Sequence, residues 1–191
     1  MPGVLLSAGA ARFVSIVLHP FVVFAALALV AAWRIDPASL LHTVVGIAAA
    51  IAVVSVFIWQ RRRSGHWQTV DASRPQERPL LYLLALAVAG GYWLWMGGRG
   101  SATSGGVLAA VAMLCAAGLA NRWIKLSLHM ASLAFAAVSL LVLVPWMGAA
   151  AVAMLPVLGA ARVRMGRHTR GEVLGGTVLG AVSALLPRLI G

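Results

Sequence analysis

His168 and Glu172 are the residues whose types and spacing most directly imply chemistry. If a helix begins at position 168, residues four apart share a face and the carboxylate stands one turn above the imidazole. A carboxylate on one ring nitrogen fixes the tautomer, leaves the other nitrogen as a lone pair, and stabilises the cation formed when that nitrogen attacks. Arg162, six positions upstream, adds a guanidinium, the group best suited to a phosphate because its donors form a planar fork. The opposing reading is an interfacial helix N-terminus, with solvated arginines and an acidic first-turn residue favoured by the helix dipole. Spacing leaves both open.

His129 follows Lys125 and Ser127 where a polar loop becomes an apolar run, so it too sits at an edge where chemistry is possible. His19 precedes Pro20 inside an apolar run and His42 stands at a helix start; capping or interfacial roles account for both. His66 closes the polar loop triplet Ser64-Gly65-His66, and Cys115 lies alone in an apolar run, which excludes an internal disulfide framework and a cysteine metal cluster.

Membrane helices must position these residues. Of 191 residues, 62% are hydrophobic and 10% charged, with a mean hydropathy of +0.96, which is too apolar for a soluble surface and for a disordered chain. Apolar runs near 13–33, 43–60, 80–96, 105–121, 127–146, 147–161 and 171–190 approach the length a bilayer requires. The expected fold is therefore all-α, a polytopic bundle of six or seven spans forming one domain over 1–191. The run at 105–121 is short and rich in Gly and Ala, and 147–161 carries Pro156, so either is a candidate for a broken helix. Arg12 precedes a full-length span rather than a short apolar region and cleavage site, so the first span is expected to be retained. The tryptophans fall mostly near span ends, as an aromatic belt would place them.

Span parity brings the loops at 60–78, 121–127 and 162–170 to one face. Arg12, Arg61, Arg62, Arg63, Arg74, Arg78, Arg122, Lys125, Arg162, Arg164, Arg167 and Arg170 lie on it, against Arg34, Arg99 and Arg188 opposite. The positive-inside rule makes the first face cytoplasmic. The net charge of +11 is thereby explained by membrane-proximal loops, which provide no separate domain for a nucleic-acid groove.

Arg162-x5-His168-x3-Glu172 is similar to the third motif, R-x5-H-x3-D, of the type-2 phosphatidic acid phosphatase and vanadium haloperoxidase superfamily, with Glu for Asp. Ser127-Leu128-His129 resembles the second motif, P-S-G-H, without its Pro and Gly. Arg78-Pro79 resembles the end of the first, K-x6-R-P, with Asp71 where the Lys belongs. The order is the family order, and 71–190 resembles a divergent bacterial membrane branch. Ser64-Gly65-His66 precedes the first motif and cannot be the second.

The resemblance implies a membrane lipid phosphatase that needs no metal or other cofactor. His168 attacks phosphorus, Glu172 orients it, and His129 protonates the leaving oxygen; Arg78, Arg162 and Ser127 hold the phosphoryl oxygens. Asp71 puts negative charge where a cation is expected, and Arg74 and Lys125 are the candidates to replace the missing lysine. The implied substrates are an isoprenyl phosphate, phosphatidate or phosphatidylglycerol phosphate, as monoester or pyrophosphate, and the implied location is a bacterial inner membrane. The alternative is a non-catalytic lipid-phosphate binder or transporter on the same scaffold. A haloperoxidase needs vanadate and a soluble scaffold, which the composition opposes. The oligomeric state is left open.

Overall fold

The computed structural model describes residues 7–65 and 78–187, with Arg78 by its backbone only. Among these residues the structure is all-helical: α1 (Ala8–Val17), α2 (Pro20–Ile35), α3 (Leu40–Arg63), α4 (Arg78–Trp95), α5 (Ser104–Ala120), α6 (Leu128–Leu143), α7 (Pro145–Arg164) and α8 (Arg170–Ser183). Short 3-10 turns at Pro37–Ser39 and Gly98–Gly100 join α2 to α3 and α4 to α5. Large apolar side chains such as Phe13, Leu41, Leu83 and Trp146 are exposed on the outside, a surface suited to lipid.

Two helical stretches, Pro37–Arg63 and Pro145–Arg164, are long and apolar enough to cross a membrane, and the pair α1 and α2 makes a third if counted as one bent span. The helices over Pro79–Trp95, Ser104–Ala120 and Leu128–Leu143 are apolar but shorter. Pro156 does not break its helix: α7 runs uninterrupted through it for 20 residues.

The first expected span, in contrast, is broken. Pro20 has no amide to donate and crowds the residue before it out of the helical region, and His19 accordingly takes φ −65°, ψ 141°. The His19 ring compensates by capping α2, its Nδ1 accepting from the Phe21 amide at 3.4 Å. The result is a bend of 42° between α1 and α2. Beyond it, α1 lies along α7.

α6 is the central helix, touching α2, α7 and α8, and every residue from His129 to Ala137 is buried. At 16 residues it is roughly 24 Å long, but its neighbours rather than lipid cover it. Gly176 and Gly180, one turn apart on α8, allow that helix to lie directly against α6: a Cβ at Gly176 would run into the Ser127 carbonyl, and one at Gly180 into the Ala131 carbonyl. This contact brings the two helix starts together, so that the Ser127 amide donates to the Glu172 carbonyl at 3.1 Å.

Elsewhere, tryptophans pin the helix ends remote from that junction. Trp95 Nε1 donates to the His42 carbonyl at 2.9 Å and Trp93 Nε1 to Ser104 Oγ at 2.8 Å. Trp33, Trp59, Trp123 and Trp146 are exposed.

Candidate active site

The start of α8 combines one element of each opposing sequence reading: an acidic residue in a helix first turn, and a carboxylate on the His168 ring. The helix begins at Arg170, with Thr169 as its N-cap, so His168 lies just outside it rather than on its first turn. Thr169 Oγ1 accepts from the Glu172 amide at 3.2 Å, and Glu172 Oε2 accepts from the Thr169 amide at 3.2 Å, a reciprocal capping box. The same Oε2 reaches back over the cap to His168 Nδ1 at 2.9 Å. With Nδ1 held by a carboxylate, Nε2 carries the lone pair.

The His168 side chain is 8% exposed. Burial pushes its imidazole down to about 4, helped by the nearby Arg162 and Lys125 charges and opposed by Glu172. At neutral pH the ring is therefore uncharged, as a nucleophile must be.

His168 lines one end of a cavity of about 630 Å³, within the range of small-molecule sites. Lys125, His129, Arg162 and Arg167 line it with His168, which makes that end strongly cationic. The remaining wall is largely apolar and runs between the helices to Thr103 and Gly105 at the start of α5. Arg162, in the last turn of α7, is only 7% exposed and donates through Nη1 to Ser15 Oγ of α1 at 2.7 Å. Lys125 Nζ donates to the Arg167 carbonyl at 2.7 Å and so ties the turn before α6 to the turn before α8.

The structure thus brings His168, Glu172, His129, Arg162 and Lys125 together. Ser127 is placed differently from what the sequence suggests: it N-caps α6 by position, but its side chain is fully buried, with an unpartnered Oγ, behind the wall formed by Leu126, Leu128 and His129. Arg78 opens α4 one turn before Tyr82, which lines the cavity. Arg74, Asp71 and His66 lie outside the described residues.

Three residues of the site are missed by sequence reasoning. Ser15 holds Arg162, and its backbone hydrogen-bonds His129. The His19 ring lies edge-on to that of His129, with centroids 5.2 Å apart and planes at 86°. Arg167 lines the cavity, although its position among other arginines reads as a solvated loop charge. Only His19-Pro20 left a usable signal, since a proline inside an apolar run marks a helix start.

Among the described residues, no group of three or more His, Cys, Asp or Glu is arranged to hold a metal ion. No family model matches the chain, and no curated protein or solved structure matches it either.

Proposed function

We propose that the protein is an integral membrane phosphatase that cleaves a lipid phosphate monoester or pyrophosphate through a phosphohistidine. The observation that carries this reading is the carboxylate-held His168 at the cationic end of an otherwise apolar cavity. His168 Nε2 forms a bond to phosphorus as the bond from phosphorus to the lipid oxygen breaks, and His129 gives that oxygen a proton. Water then attacks the phosphohistidine, the P–N bond breaks, phosphate leaves, and the proton from water returns to His129. Arg162 and Lys125 take up charge on the phosphoryl oxygens, and Arg78, at the start of α4, and Arg74 are assigned the same task. An imidazole beside a guanidinium holds a proton more readily once an anion sits between them, so the substrate itself favours the protonated acid.

We read the bent pair α1 and α2 and the helices after it as a bundle of six or seven spans in a bacterial inner membrane, with the site face cytoplasmic by the positive-inside rule. Reporter fusions within 60–78 and after 191 test this topology; a loop that reports outside overturns it.

The functional test is inorganic phosphate release in detergent micelles from isoprenyl phosphates, phosphatidate and phosphatidylglycerol phosphate, beside His168→Ala. Release that the variant loses is expected. Binding of these lipids without turnover would favour the second reading, a lipid-phosphate binder or transporter, which the length of the apolar cavity also supports.

A further inference from the structure

The part of the chain without any phosphatase-like motif contributes directly to the site. The break between α1 and α2 places Ser15 against Arg162 and His129, and His19 against His129. These contacts are built rather than incidental. Ser15 is 6% exposed, and its hydroxyl sits 2.7 Å from a guanidinium that is itself buried. The His19 ring is fixed at both ends of its short tether: Pro20 restricts its backbone, and the Phe21 amide holds Nδ1. An edge-on ring at 5.2 Å leaves the His129 imidazole little freedom to tilt.

Resting on the phosphatase reading, we propose that the α1–α2 break is part of the catalytic apparatus: His19 is a positioning residue that aims His129 at the leaving oxygen, and Ser15 is one that aims Arg162 at the phosphoryl group. An acid must lie within hydrogen-bond reach of the oxygen it protonates, and misplacement by an ångström costs most of its effect. The break supplies that precision from outside α6, whose backbone is already committed to packing.

Leaving-group chemistry separates this role from a structural one. An alkoxide from a lipid monoester needs a proton as it departs, whereas nitrophenolate does not. His19→Asn retains a good N-cap for α2 but removes the ring. It is expected to slow the phosphorylation step, read as lipid alcohol release in a single turnover, by about tenfold to a hundredfold for a lipid phosphate monoester, while the pre-steady-state burst of nitrophenolate from p-nitrophenyl phosphate stays within about twofold, because only the later attack of water calls on His129 with that substrate. His129→Asn should show the same selectivity more strongly, and His168→Ala should lose both substrates. Ser15→Ala should raise KM on both substrates and lower kcat on both, with Ser15→Thr restoring them.

Equal loss on the two substrates in His19→Asn, or no loss on either, overturns the assignment of His19. Unchanged kinetics in Ser15→Ala overturn that of Ser15. Turnover that survives His168→Ala, or no turnover by the unaltered protein, instead overturns the phosphatase reading and this inference with it.

Discussion

A single oxygen of Glu172, Oε2, joins His168 to the first turn of α8, lying 2.9 Å from the imidazole Nδ1 and 3.2 Å from the Thr169 amide. The helix start and the orientation of the histidine therefore depend on the same side chain. Glu172→Gln keeps an amide oxygen for the cap but loses the charge that stabilises a phosphohistidine cation. Thermal stability is expected to change little, while phosphate release falls by about a hundredfold or more. A melting curve and a rate measured on the same preparation check both halves.

The pH dependence follows from the buried ring. His168 takes up its proton near 4 in the folded protein and near 6.5 in an unfolded chain. Between these values the unfolded state binds more protons, so this group's contribution to stability is lost as pH falls from 6.5 towards 4 and is constant above. The acid limb of turnover that belongs to the nucleophile should likewise lie near 4. Because Glu172 raises the value, Glu172→Gln should move it lower still. Histidine NMR titration and a pH–rate profile report these two quantities separately.

Lys125 tests the link between the loops. Its ammonium donates to the Arg167 carbonyl at 2.7 Å, directly before His168. Lys125→Met retains the apolar stem and loses the bond, which should destabilise the turn by about 1.5–3 kcal/mol. Hydrogen exchange at 166–168 is expected to accelerate, and KM to rise.

The contact between α6 and α8 is tested by glycine substitution. Gly180→Ala forces a methyl group against the Ala131 carbonyl and should cost about 1–3 kcal/mol. It should also separate Ser127 from Glu172 and lower activity. Gly106→Ala, on α5 with open space around its Cβ, should be neutral or slightly stabilising. Equal melting temperatures for the two variants would contradict the packing.

Most helices were legible from hydropathy: α3 to α8 fall within a few residues of the apolar runs, because long uninterrupted apolar segments carry a strong signal. The break at His19 was not, since averaging over a window of span length hides one proline between two helices. The pairing of His168 with Glu172 could be read from spacing, but its route could not; the helix starts two residues later than spacing implied, and the carboxylate reaches backward. Ser127 misleads for a different reason. Its motif gives residue order, whereas the close approach of Gly176 decides which way its surroundings are filled. Ser15 contributes through a contact across 147 positions, for which no local pattern exists.

That contact also bears on biogenesis. Ser15 is synthesised 147 residues before Arg162 and remains without its guanidinium partner until α7 has been made and has come back beside α1. Nothing resembling the finished site can exist on the partly made chain, whose cations and histidines are added one hairpin at a time. Closure of this contact is therefore expected late in assembly, after α7 has come back beside α1.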